Sequence, residues 1–205
     1  MQETKKYKML TKREGRMMSI RFNVPYIEVP PKNLCALLYE IDLYELWFPF
    51  ISVAKELRCF TKGSKAAFMK VWFPPPLSNR YENVWGAGIN RFHNGRDSIL
   101  IVANSIDLNG ETEFMGIPLE HPKGLVPMKT YFYGFEIKVL GRNALGIEAI
   151  MKMDACIKNV PQSLIHWGSG KFMVYLFNKI LRYAGNIEKT KIGARLANKA
   201  NQEFI

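Results

Sequence analysis

Hydrophobic and polar positions change period several times along the chain, and each period predicts an element. Ile20, Phe22, Val24 and Tyr26 alternate with Arg21, Asn23 and Pro25, the pattern of a strand with one buried face that Pro25 places at an edge or ends. After the break at Pro30-Pro31, Leu34, Leu37, Leu38 and Ile41 recur at helical spacing, which predicts an amphipathic helix ending before Pro49. From Ala66 onward the pattern predicts a run of antiparallel strands. Its best turn signal is Asn94-Gly95, because a type I′ hairpin turn needs positive φ at both central residues; strands near 81–92 and 97–107 are expected to meet there.

Tyr131, Tyr133, Phe135, Ile137 and Val139 then alternate with Glu136 and Lys138. Beyond Gly141-Arg142-Asn143, Leu145, Ile147, Ala149, Met151 and Met153 alternate with Glu148, Lys152 and Asp154, so one sheet face is expected to be apolar and the other wet. Pro161 opens the last long element, where Leu164, Ile165, Gly168, Phe172, Leu176 and Ile180 form an apolar stripe reaching Ala184. This helix must cover the sheet. Gly168 and Gly170 each cost it about 1 kcal/mol relative to alanine; close packing on the sheet and a point of give in a lid both account for them. Gly185-Asn186 ends the helix, and Ile187, Ile192 and Leu196 among basic residues predict a weaker helix or a disordered tail.

A chain of 205 residues, 48% hydrophobic, suits one domain with a substantial core. Its net charge of +11 favours an anionic partner. Most of that charge lies at the ends. Lys5, Lys6, Lys8, Lys12, Arg13 and Arg16 face only Glu3 and Glu14 in residues 1–18, and Lys189, Lys191, Arg195 and Lys199 crowd the C-terminus. Cys35, Cys59 and Cys156 have no zinc-site spacing and read as reduced, intracellular thiols. With no apolar run of about 18 residues and no signal-type start, a soluble cytoplasmic protein is expected. His93, His121 and His166 fall into no triad or paired-carboxylate spacing, and no phosphate-binding glycine loop is present. No enzymatic activity, cofactor, catalytic residue or metal is expected.

Three strings, in this order and spacing, resemble the steroidogenic acute regulatory protein-related lipid-transfer (START) family. They are Glu40-Ile41-Asp42-Leu43-Tyr44-Glu45-Leu46-Trp47 with Phe48-Pro49-Phe50, then Pro74-Pro75-Pro76-Leu77-Ser78-Asn79-Arg80, and Val160-Pro161-Gln162-Ser163-Leu164-Ile165. The resemblance implies an α+β helix-grip fold, a curved antiparallel sheet wrapped around a long C-terminal helix, here lacking the family's usual first helix and two strands. It divides the chain into a basic N-terminal arm (1–18), a START-like lipid-binding domain (19–184) and a basic C-terminal tail (185–205). It further implies a tunnel for a single lipid or other apolar ligand, which the protein carries or senses at membranes as a monomer, with peripheral contact to an anionic membrane surface and no nucleic-acid partner. Within that tunnel the expected ligand-binding residues are Arg80, Met69, Trp85, Tyr131, Tyr133, Ala149, Met151 and Phe172.

The loop from 109 to 130 corresponds to the family's Ω loop and is very apolar for a connection. Phe114, Met115, Ile117, Leu119 and Leu125 are expected to form a lid, plugging the domain or opening into a membrane. The family's choline recognition is not expected, because Tyr44 stands at its helix arginine and Met69 and Glu82 at two cage positions; Gly86 stands at the arginine of the sterol-binding branch. Arg80 reads either as a structural ion pair or as a phosphate contact, and Arg91 as a second anion contact or a solvated strand end. Two other classes remain: a small helix-grip enzyme of cyclase or hydratase type using Arg80 and a tyrosine, and a basic adaptor with a filled core.

Overall fold

The structure, a computed structural model, describes residues 2–3, 7–92, 95–157 and 162–198, with the backbone alone at 2–3, 162–167 and 169. In chain order the elements are β1 (Gln2–Glu3), β2 (Lys8–Glu14), β3 (Met17–Ile27), α1 (Pro31–Tyr39), β4 (Ile51–Thr61), β5 (Ser64–Val71), β6 (Arg80–Asn90) and β7 (Ser98–Ser105). Then come β8 (Glu113–Phe114), β9 (Ile117–Pro118), β10 (Val126–Pro127), β11 (Lys129–Gly141), β12 (Ala144–Asp154), α2 (Gln162–Gly185) and α3 (Lys191–Ala197). Short 3-10 turns at Ile41–Leu46 and Ile187–Lys189 precede β4 and α3. The main sheet runs β1-β2-β3-β12-β11-β7-β6-β5-β4, antiparallel throughout, with β10 added in parallel beside the start of β6.

The alternation along β3, β11 and β12 places Phe22, Ala149 and Phe135 side by side across three strands, all buried. Against this part of the sheet pack α1, the C-terminal half of α2 and α3, giving a core that includes Leu34, Leu37, Ile137, Ile147, Ala184 and Ile192. Burying each such aliphatic side chain contributes about 1.5–3 kcal/mol. Asn33 ties α1 to α2 by donating to the carbonyl of Ala184 at 2.9 Å.

Both ends of the chain belong to this body. The segment expected as a basic arm forms β2, because Met9 alternates inward opposite Phe22 while Lys8 and Leu10 stay outside, and Gly15 at φ +60° lets the chain turn back into β3. β1 and β2 are thus two strands where the sequence was expected to lack them. The tail expected from 185 onward is likewise structured to Asn198, with Ile187 and Ile192 nearly fully buried and Thr190 capping α3 through its hydroxyl on the Gly193 N–H. β4 is a further strand, not expected from the sequence, whose run of antiparallel strands after the first helix was expected to begin only at Ala66. Asn94 with His93, the helix-opening Pro161, and the side chains of Leu164, Ile165 and His166 lie outside the described residues. Gly95 has φ +66°, as a turn there requires.

Candidate functional site

A cavity of about 1760 Å³ lies between the sheet and α2. Its existence follows from side-chain size. On the inward face of the central strands stand Gly86 and Gly88 on β6, Ala103 on β7 and Ala149 on β12, all lining the cavity. Opposite them α2 presents Gly168, where an added Cβ would meet nothing within 4 Å among the described residues beyond the helix's own backbone. Close packing of Gly168 on the sheet, one of the two expectations for it, is not found among the described residues, and the glycine lines the cavity. Gly86 is different, since a Cβ there would come within 3.3 Å of Ala103 Cβ and of the Val102 carbonyl.

Most of the wall is apolar. Ile99, Ile101, Met69, Met151, Met153 and Phe135 come from the sheet, and Phe172, Met173, Leu176 and Phe177 from α2. Methionines suit a wall that must fit a flexible hydrocarbon. At one side Phe50 stacks on Trp72 at 5.6 Å and on Phe172 at 5.8 Å, forming a partly exposed aromatic rim.

Polar residues also line the cavity, among them the exposed Lys32, Lys62, Arg142 and Lys171, and Glu82 and Tyr133 are buried ionisable groups in the same lining. Glu82 on β6 is only 2% exposed, and its Oε1 accepts from the Ser105 hydroxyl and from the Thr130 N–H at 2.8 Å. Its Oε2 has no hydrogen bond among the described residues and belongs to a cavity-lining side chain. Burial pushes its carboxyl up to about 7, with nearby Asp107 adding to the shift and the Ser105 and Thr130 hydrogen bonds opposing it. The second group is the Tyr133 hydroxyl, which has no hydrogen-bond partner among the described residues. Burial drives the Tyr133 phenol far up, and likewise that of Tyr44, whose hydroxyl donates to the Leu38 carbonyl at 2.6 Å and which Tyr133 raises further.

Of the residues expected at the ligand, Met69, Tyr133, Ala149, Met151 and Phe172 line this cavity, and Arg80, Trp85 and Tyr131 do not. Tyr131 is displaced by a register shift between Thr130 and Phe132 in the β11–β12 ladder: Thr130 takes the inward position and Tyr131 is left 42% exposed. Trp85 lies on the opposite sheet face, because β6 turns Glu82, Val84 and Gly86 inward. Arg80 is buried but spent on backbone: its guanidinium donates to the Ala155 carbonyl at 2.9 Å, the Cys156 carbonyl at 3.2 Å and the Ser78 carbonyl, and lies over the Phe73 ring. Among the described residues no carboxylate forms an ion pair with it. Arg91 pairs with Glu136 at 2.9 Å.

The loop expected as a lid is also elsewhere. Ile117 and Leu119 are buried with Ala66 and Ile106, flanked by Phe114, Trp85, Leu57 and Phe60, on the sheet face away from the cavity. Leu125 is half-buried and Met115 is 68% exposed, and none of the five lid residues lines the cavity. Beneath the loop, buried Asn83 donates to Asp107 and to the Glu120 carbonyl, both at 2.9 Å. The sequence offered one sign of Glu82's importance, an acid on the inward parity of a strand otherwise facing a hydrophobic interior.

Among the described residues no helix is long and apolar enough to cross a membrane, and no three His, Cys, Asp or Glu side chains cluster as metal ligands. Neither a protein-family model nor a curated protein matches the sequence. Solved structures do match. Human StAR-related lipid transfer protein 5 superposes with a TM-score of 0.74 at 10% identity, over 92% of this chain and 86% of that one. Human STARD10 gives 0.68 at 15% identity, over 92% and 78%. The Zhui aromatase/cyclase from a Streptomyces species gives 0.53 at 10% identity, over 86% and 98%. The sheet order, the helix laid across it and these superpositions together show that the chain has the helix-grip fold of START domains.

Proposed function

We propose that the protein binds one lipid in the cavity between sheet and α2 and carries or presents it at a membrane surface. The observation that carries this reading is the cavity itself, whose volume of about 1760 Å³ exceeds the roughly 300–1,000 Å³ of ordinary small-molecule sites and whose wall is mostly hydrocarbon. Burial of acyl chains supplies affinity at about 0.8 kcal/mol per CH₂. Human StAR-related lipid transfer protein 5 and a STAR-related lipid transfer protein from Xanthomonas axonopodis share the fold, which supports the reading. The open interior removes the feature that would have favoured a basic adaptor with a filled core. Docking is assigned to the partly exposed rim of Phe50, Trp72 and Phe172 rather than to the loop at 109–130, with the net charge of +11 favouring anionic lipid.

Glu82 favours a second reading, a small enzyme of cyclase or hydratase type, because a buried carboxyl titrating near neutrality can serve as a general acid or base. Native mass spectrometry of the purified protein, with extraction and identification of any bound lipid, separates the two. One stoichiometric lipid adduct recovered unchanged after prolonged incubation supports carriage. Conversion of the bound molecule supports the enzyme, and a clean ligand-free mass after incubation with mixed liposomes removes both.

A further inference from the structure

Resting on the lipid-binding reading, we infer that Glu82 sets the ligand's chemistry: the cavity takes a lipid whose polar end is an uncharged hydroxyl, docked on Glu82 Oε2, and rejects lipids headed by a phosphate. Glu82 is fixed before any ligand arrives. Its Oε1 is held by the Ser105 hydroxyl and the Thr130 N–H, and that same N–H lies 2.7 Å from the Ser105 oxygen, so the carboxyl cannot swing without breaking a buried network. Oε2 makes no hydrogen bond among the described residues, and Glu82 lines the cavity together with Met69, Val84, Met128 and Met153. A ligand hydroxyl placed in the cavity beside Oε2 would gain a hydrogen bond to a carboxyl whose other oxygen is already held.

A hydroxyl suits either state of the carboxyl, donating to the carboxylate or accepting from the acid. A phosphate at the same place would add negative charge beside Glu82 and Asp107, with no uncommitted buried cation among the described lining residues to offset it. The buried cations are already committed: Arg80 to three backbone carbonyls, and Lys65, toward the other end of the cavity, to Glu56 at 2.8 Å and to the Tyr39 ring, while the other basic residues of the lining, Lys32, Lys62, Arg142 and Lys171, are exposed. A quaternary ammonium finds thioether and aliphatic groups around Glu82 rather than an aromatic cage. The Tyr133 hydroxyl stands two strands away. Its β7 neighbour Ala103 faces Gly86, so Tyr133 lies about 13 Å further along the strand direction, where it can donate to an ester or amide carbonyl of the same ligand.

The test uses three probes with identical chains: dioleoylglycerol, its methyl ether at the free hydroxyl, and dioleoylphosphatidic acid, each offered in neutral phosphatidylcholine vesicles and read as adducts by native mass spectrometry. The unmodified protein is expected to favour dioleoylglycerol about tenfold over each of the others. Glu82→Leu should level dioleoylglycerol with its ether while still loading both, and Glu82→Gln, which keeps hydrogen bonding without charge, should retain the preference for the alcohol and admit more of the phosphatidic acid. Equal loading of alcohol and ether by the unmodified protein, or dominant loading of phosphatidic acid or of phosphatidylcholine, overturns this inference and leaves lipid binding standing. Absence of every adduct overturns both.

Discussion

Arg195 and Asp42, 153 residues apart in sequence, face each other as a two-pronged ion pair with N···O distances of 2.7 and 2.8 Å. Glu40 joins them by accepting from the same guanidinium. Both carboxylates follow α1, whereas Arg195 is in α3, so the pair pins the C-terminal helix over one end of the cavity, where Ile192 and Leu196 line the wall. The guanidinium holds the Asp42 carboxyl below its ordinary value. Arg195→Ala should cost about 1 kcal/mol, modest because the side chain is 42% exposed. It should also speed ligand exchange by freeing α3. Thermal unfolding and the release rate of a fluorescent lipid check the two effects, and an unchanged release rate would show that α3 does not gate this end.

Gly168 offers a substitution in the opposite direction. A glycine within α2 costs about 1 kcal/mol relative to alanine, and among the described residues beyond the helix's own backbone the added methyl would meet no atom within 4 Å. Gly168→Ala should therefore stabilise the protein by up to about 1 kcal/mol. A loss of stability in chemical denaturation would mean that this position needs a backbone alanine resists.

Much of the fold is legible in the sequence, and the failures have identifiable physical causes. β11 and β12 carry clean alternation because one face is dry and the other wet, and from it Tyr133, Ala149 and Met151 fall on the cavity side. Tyr131 fails by one residue, since a register shift at Thr130 reverses the parity and no side-chain pattern announces it. Trp85 fails for another reason. The apolar loop covers the outer face of β5 and β6, so both faces of β6 are buried there and the largest hydrophobe gives no guide to the inside. β4 is an edge strand with charged residues and three register shifts, which erase its period. β2 reads as a basic arm because its lysines outnumber the single buried residue, Met9, that docks it.

The position of the loop on the outer face can be tested by two substitutions that a lid would rank differently. Ile117 is 8% exposed against Ala66 and Ile106, and Ile117→Ala should destabilise by about 2–4 kcal/mol through the cavity it leaves. Met115→Ser, at an exposed site, should change stability by less than about 0.5 kcal/mol. Neither should alter ligand exchange below the unfolding transition. A marked acceleration of release in stable Met115→Ser protein would return the loop to the role of a lid.

Ala149 occupies the middle of the cavity floor, with Phe22 and Phe135 as its cross-strand neighbours. Ala149→Trp directs an indole into the space the ligand needs. Lipid loading should fall several-fold while the cooperative unfolding transition is retained, because the cavity can take the added volume without overpacking. Retained loading in a folded variant would place the ligand elsewhere.

Glu82 should leave a signature in the pH dependence of stability. Its carboxyl titrates near 7 in the folded protein against 4.5 when unperturbed, so between those values the folded state binds more protons than the unfolded one. Stability contributed by this group is then greatest in acid, falls as pH rises from about 4.5 toward about 7, and levels off above, for a total of about 3 kcal/mol. The charged neighbour acting on it is Asp107, which opposes ionisation, while Ser105 and Thr130 favour it. Glu82→Gln can keep an acceptor for Ser105 and Thr130 but cannot ionise. The variant should therefore gain on the unmodified protein as pH rises, and urea denaturation at about pH 5 and about pH 8 should show the difference between them widening by about 2–3 kcal/mol. Parallel behaviour of the two proteins would place the Glu82 carboxyl in contact with water, where a hydroxyl ligand would find no dry partner.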